Sequence, residues 1–354
     1  MRYIEAVRAQ GKNLRSSRAA VAAQLERLDL APWQGRRLGL VGMGASANAI
    51  GAVAGGYREA GLPATAWLGS ELGSAHSPGP ADQAAAGSFD AVIAVSQSGQ
   101  STEIVAALEG PLARCPKLVI TDAPDSPAGR LADATLGLGL LEDSNVRTIG
   151  YTGTLQALVL LRDALAGIGG ANGIGGTDWD GLADEVERQR PAAERLAADL
   201  LGPLGRVRSF DLAGSGGQAG TAAQGALLLR EVAKRPAAAY ETYQYLHGPV
   251  EAAGPGLGLL LSGGAREAKL AASLAGTGAW ILLITGLDDE GLAAAGLDRG
   301  SPALTVFRVP AADGVALAML SILPLQTISG ALADAAGLPD GEFRFHQDDT
   351  KVGR

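Results

Sequence analysis

Two stretches decide how this chain is read: RRLGLVGMGASAN, Arg36 to Asn48, and RSFDLAGSGGQAG, Arg208 to Gly220. Each is an apolar run of strand length that ends in glycines and then opens a helical pattern, the local mark of a βα turn. Working outward, LGLLLSGGAREAKL from Leu257 answers AVIAVSQSGQSTEI from Ala91, AWILLITGLDD from Ala279 answers KLVITDAPD from Lys117, and ALTVFRVP from Ala303 answers ATLGLGLLE from Ala134. The offset stays between 162 and 172 residues across all four pairs. A repeat that regular predicts two copies of one doubly wound unit, and connections long enough for crossover helices predict parallel strands. In such sheets ligands sit beyond the carboxyl ends of the strands, where the strand order reverses, so function is sought in the βα loops.

Composition narrows the classes. A chain of 354 residues is right for two domains, and 47% hydrophobic residues with only 4% aromatics suit layered α/β packing. The net charge of −8 comes without a basic stripe, which argues against a nucleic-acid partner. One cysteine, Cys115, forms no internal disulfide and no thiolate cluster, as in a reducing cytoplasm. The N-terminus has no apolar leader, and no stretch approaches the uninterrupted apolar length that crosses a bilayer, so a soluble, cytoplasmic protein without a membrane partner is expected. Residues 3 to 28 read as one amphipathic helix, TLQALVLLRDALAG from Thr154 closes the first half, and GIGGANGIGGTD, Gly167 to Asp178, reads as a junction.

VGMGASANAI resembles a dinucleotide fingerprint only in part, with Ala47 where the third glycine would fall; a glycine turn packing helix on strand explains it as well. The loop SQSGQST says more. Ser96, Gln97, Ser98, Ser101 and Thr102 crowd the turn before a helix, where free amide hydrogens attract an anion and hydroxyls donate to phosphate oxygens without adding charge. A helix cap needs one hydroxyl, and this loop has four. Its counterpart LSGGAREA keeps the glycines and has lost the cluster, so one phosphate site per chain is expected.

On the helix TAAQGALLLREVAK, helical spacing puts Gln224, Leu228 and Glu231 on one face. A carboxylate beside leucine has its proton affinity raised by desolvation, which suits a general base near neutral pH, although a helical Glu is also an ordinary surface residue. Sixteen residues later comes His247, in ETYQYLHGPVEA, one of three histidines in the chain. An imidazole near its own pKa can both take and supply a proton, and Gly248-Pro249 is a turn that directs it.

SQSGQST, GALLLREVAK and HGP together resemble the sugar isomerase (SIS) domain family, in the double-SIS form of the isomerase half of glucosamine-6-phosphate synthases and of fructosamine-6-phosphate deglycases. The resemblance runs from about Arg36 to the C-terminus and implies two tandem flavodoxin-like doubly wound parallel-sheet SIS domains. The expected division is a helix at 1–30, a first SIS domain at 31–166, a linker and helix at 167–200, a second SIS domain at 201–338 and a tail at 339–354. It further implies that Ser96, Gln97, Ser98, Ser101 and Thr102, with Ser46 from the first turn, hold a sugar phosphate. Glu231 is implied as the base that moves a proton between C1 and C2 of the open-chain sugar. His247 is implied as the ring-opening residue, donated across a homodimer interface to the neighbouring active site. Lys351, in the C-terminal FRFHQDDTKVGR, resembles the family's terminal lysine, which can form a Schiff base with the sugar carbonyl. No cofactor or metal is implied.

The chain departs from the synthase pattern in several places. It starts at Met1 without the glutaminase sequence, so glutamine-dependent synthesis is not expected. Gln224 and Leu228 stand where the synthases have a glutamate and a lysine, and Gln244 where they have a glutamate before the histidine. In NVRTIGYTG the lysine is replaced by Ile149, while Glu142 and Thr148 are retained. The expected activity is therefore a phosphosugar isomerase or deaminase acting on a hexose or amino-hexose phosphate. The alternatives are a fructosamine-6-phosphate deglycase and a non-catalytic sugar-phosphate-binding regulator.

Overall fold

A computed structural model describes residues 1–72, 87–169, 176–298, 300–310, 312, 314–345 and 349–352. The centre of the glycine-rich junction, residues 170–175, lies outside the described residues. The chain forms two compact units: one from Lys12–Glu142, Ile149–Gly181 and Phe343–Arg354, the other from Met1–Gly11, Asp143–Thr148 and Leu182–Glu342.

The first unit holds strands β1 (Leu38–Gly42), β2 (Ala64–Leu68), β3 (Ala91–Val95), β4 (Lys117–Ile120) and β5 (Ala134–Leu136) in the order β2-β1-β3-β4-β5, with every pairing parallel. The central strands β1, β3 and β4 are buried at every position, and apart from Lys117 at the start of β4 they read as continuous apolar runs rather than alternating ones. Helices Gly44–Glu59 and Ile149–Ala166 pack together, with the Tyr57 hydroxyl donating to the Leu158 carbonyl at 2.7 Å. The second unit holds β6 (Ser209–Gly214), β7 (Ala237–Glu241), β8 (Leu257–Ser262), β9 (Trp280–Thr285) and β10 (Leu304–Arg308) in the order β10-β9-β8-β6-β7, again all parallel. Taken from β7 inward, this is the strand order of the first sheet, and in each the order reverses between the first and third strands.

Close approach explains the paired glycines that head the two repeats. A Cβ on Gly42 would lie 2.9 Å from the Ala47 nitrogen, and one on Gly214 would lie 2.6 Å from the Gln218 Cβ. Each strand can deliver the chain straight into its helix only because that carbon is missing.

Three expectations need correction. Each sheet has five strands where the sequence pattern shows four: β2 and β7 are edge strands, mostly exposed or only partly buried and without the valine, isoleucine or leucine run of the central strands. The helix expected over residues 3–28 is two helices, Tyr3–Arg8 and Gln10–Leu25, parted at Ala9, whose amide hydrogen is shared by the Glu5 and Ala6 carbonyls. The second of them buries polar side chains: Ser17 donates to the Leu138 carbonyl at 2.6 Å, and Asn13 accepts from the Leu141 amide at 3.0 Å. Finally, helix Gly314–Ala335 is long and apolar enough to cross a membrane, with a mean hydropathy of 1.8, contrary to the expectation that no stretch reaches that length. In this structure 78% of its apolar window is buried, and it packs on helix Gln218–Glu231. An all-round apolar helix is what a central position in a layered core produces.

Candidate functional site

In the first unit the reversal of strand order falls between β1 and β3, whose last residues Gly42 and Val95 are paired across the ladder. Ser46, in the first turn of helix Gly44–Glu59, follows β1, and the loop Ser96–Ser101 follows β3. The hydroxyl-bearing segments singled out in the sequence therefore flank the crevice where this sheet topology places ligands. The loop's shape is set by Gly99, with φ +63°, where a Cβ would fall 1.7 Å from the Ser126 Oγ. The β4 turn buttresses it: the Asp122 amide donates to the Gln97 carbonyl at 3.1 Å, the Thr121 hydroxyl donates to the same carbonyl at 3.1 Å, and the Gln97 amide group donates to the Asp122 carboxylate at 3.3 Å. Thr121, Asp122 and Ser126 lie in TDAPDS, which carries turn chemistry, but nothing in that stretch specifies which loop it supports.

The C-terminal tail docks on the same loop. Lys351 forms an antiparallel bridge with Ser101, and the Val352 amide donates to the Gln100 carbonyl at 2.9 Å. The Thr102 hydroxyl donates to the Asp349 carbonyl at 2.7 Å, and the Thr102 amide to the Thr350 carbonyl at 3.3 Å. The Val352 side chain packs on the core cluster that includes Ile104, Val105 and Leu108. Thr102 thus spends both its donors on the tail, and the Ser101 hydroxyl donates to Glu103 at 2.8 Å. Ser96 is buried, while Gln97 and Ser98 are partly open.

The corresponding crevice of the second unit is filled by its own side chains. By the offset relating Gly42 to Gly214, Gln218 takes the place of Ser46, and its side-chain oxygen accepts the Ser262 hydroxyl at 2.8 Å. Only Gly263 and Gly264 separate β8 from the next helix, Ala265–Leu274. From that helix's first turn Glu267, 1% exposed, folds back to accept the Gly264 amide at 2.9 Å and the Thr242 hydroxyl at 2.6 Å. A carboxylate of the chain occupies the positive helix end that would otherwise attract an anion.

Glu231 ends helix Gln218–Glu231, whose Gln224 and Leu228 are buried on the expected face. Burial pushes its carboxyl up from the ordinary value, and the Lys234 charge opposes that rise. Tyr3 lies in the same unit, its hydroxyl donating to the Gln326 carbonyl at 3.2 Å. Burial, then the charges of Asp143, Glu231 and Asp340, hold its phenol well above the usual range. His247 is exposed at the end of helix Thr242–Leu246, and Gly248, with φ +150°, turns the chain into a single 3₁₀ turn, Pro249–Ala252. Thr148 is buried and donates to Asp143 at 2.9 Å, whereas Glu142 is exposed. Among the described residues no group of three or more His, Cys, Asp or Glu is placed to hold a metal ion.

Comparison with solved structures puts this geometry in context. Over 98% of the chain and 98% of theirs, the protein superposes on glucosamine-6-phosphate deaminase from Thermotoga maritima, with a TM-score of 0.74 at 18% identity. Over 98% and 97% it superposes on tagatose-6-phosphate ketose/aldose isomerase from Escherichia coli, with a TM-score of 0.74 at 20% identity. This chain shares their fold, two tandem α/β units each built on a five-stranded parallel sheet. In sequence, 265 residues are 28% identical to a glutamine–fructose-6-phosphate aminotransferase (isomerizing) from Gloeobacter violaceus, covering 70% of this chain. The match spans 41% of that relative's length. No family model matches the chain.

Proposed function

We propose that this chain is a double-SIS protein, a phosphosugar isomerase or deaminase acting on a hexose or amino-hexose phosphate. The observation that carries the reading is the contrast between two equivalent crevices: one lined by Ser46 and the Ser96–Ser101 loop, the other closed by Gln218, Ser262 and Glu267. Hydroxyls and amide hydrogens at the first are suited to a phosphoryl group. His247, exposed in its own subunit, is assigned to the neighbouring one of a homodimer, where it takes the proton of the anomeric hydroxyl and returns one to the ring oxygen, opening the sugar. Glu231 then removes the proton from C2 of the aldose and delivers it to C1, while the O2 hydroxyl proton passes to O1 by way of a cis-enediol; for an amino sugar the intermediate is an enolamine, the proton passes from the C2 nitrogen, and water hydrolyses the resulting C2 imine with release of ammonia. Its raised proton affinity suits a base that must also give the proton back. Lys351, docked on the phosphate loop, is assigned to the sugar's carbonyl end. The names of the similar proteins, an aminotransferase with isomerising activity, a deaminase and a ketose/aldose isomerase, support the same substrate class.

A thermal-shift screen with hexose and amino-hexose phosphates tests the binding step, since a ligand at about 100 times its Kd stabilises the folded state by about 2.7 kcal/mol. For a sugar that is also turned over, Glu231→Gln is expected to keep the thermal shift and to lower kcat by roughly 10² to 10⁴. Full turnover in that variant refutes the assignment of the base. Binding across the panel without turnover of any member identifies a sensor instead.

A further inference from the structure

Lys234 is, among the described residues, the non-glycine with a positive φ, at +54°. Glycine or asparagine adopts that backbone conformation more easily than lysine, and here it turns the chain back so that the Arg235 amide donates to the Leu229 carbonyl at 2.9 Å. The side chain is well used. Its ammonium donates to the carbonyl of Glu231 at 2.6 Å and to the carbonyl of Glu342 at 2.6 Å. The first contact closes the last turn of the helix that carries the candidate base. The second fastens the segment that leads into the C-terminal tail.

We propose that Lys234 is a positioning residue for Glu231, clamping the end of its helix to the Glu342 segment and supplying the positive charge that the half-buried carboxylate meets. The proposal rests on the reading of Glu231 as the base. Among the described residues, the titratable groups coupled electrostatically to Glu231 are Lys234, from the turn that follows it, and Tyr3, from the N-terminal helix. Asp143 and Asp340 act on Tyr3, and that phenol stays neutral across the working range. Of the two neighbouring arginines, Arg230 is exposed, and Arg235 turns away to donate to the Val207 carbonyl and lie over the Phe210 ring, 5.8 Å from its centroid. The cation opposing the desolvation of Glu231 is therefore Lys234.

The test is a carboxyl ¹³C titration of the full chain labelled at glutamate, with the Glu231 resonance assigned by its loss in Glu231→Gln. Lys234→Gly and Lys234→Asn remove the ammonium and suit the left-handed backbone, so both are expected to fold. In both, the Glu231 midpoint moves to higher pH and amide exchange around Glu342 quickens, whereas Lys234→Arg stays near the wild-type midpoint. A purely structural lysine would quicken exchange without moving the midpoint. An unmoved midpoint in both neutral variants overturns the proposal. The titration needs no turnover, so its failure is distinct from the isomerase reading's, which falls if Glu231→Gln retains activity.

Discussion

Truncating Glu267 to alanine tests what closes the crevice of the second unit. In the wild type its two carboxylate oxygens accept the Gly264 amide at 2.9 Å and the Thr242 hydroxyl at 2.6 Å, and both Glu267 and Thr242 are at most 1% exposed. A hydrogen bond to a charged group contributes about 1.5–3 kcal/mol net, and a carboxylate at a helix N-terminus adds about 0.3–1 kcal/mol. Desolvation of the carboxylate offsets part of that sum, and the hole left behind strands two donors, so Glu267→Ala should cost about 3 kcal/mol. That is a large part of the roughly 5–15 kcal/mol by which a domain is stable. Glu267→Gln, which keeps an acceptor and the volume, should cost about half as much. Hydrogen exchange of β8 and β9 amides under increasing urea reads the opening of this unit alone. Formate or acetate, small enough to enter the vacated space, should restore part of the loss in the alanine variant and none in the wild type. If alanine costs less than about 0.5 kcal/mol, a surface-substitution value, the carboxylate is not an internal occupant of an anion site and the account of the closed crevice is wrong.

Two further outcomes follow from the same geometry. Gly99→Ala places a methyl where the Ser126 Oγ stands 1.7 Å away, at φ +63°, so the loop must move; the thermal shift given by a sugar phosphate should vanish, and an undiminished shift would exclude this loop as the cradle. For Glu231, burial raises the folded-state pKa above the ordinary 4.5, so its contribution to stability is full below that value and is lost as pH rises through the raised one. Glu231→Gln should therefore have a higher Tm than the wild type at pH 8, with the gap closing towards pH 4. A variant less stable at pH 8 would contradict the desolvation argument.

The legible part of the fold is the part that is buried on both faces. β3 and β8 are AVIAV and LGLLLS because helices cover both sides of the sheet, and an unbroken apolar run announces that in sequence. The edge strands give no such sign. Ala64–Leu68 is mostly exposed, and Ala237–Glu241 is alanine-rich, with little intrinsic preference for a strand; pairing with β1 and β6 makes them strands.

The chemistry of the site divides along similar lines. Four hydroxyls within seven residues, a carboxylate on an apolar helix face and a histidine at a Gly-Pro turn are local facts, readable because each depends on neighbours a few positions away. Tertiary structure alone decided that Asp349–Val352 would settle on Thr102 and Ser101, that Ser126 would stand against Gly99, and that Lys234 would reach Glu342. It alone decided, too, that Gln218, Thr242, Ser262 and Glu267, drawn from separate elements, would converge and shut the second crevice. Patterning along a chain records which faces are buried; which distant groups meet depends on how the layers pack, and packing is a property of the whole fold rather than of any segment.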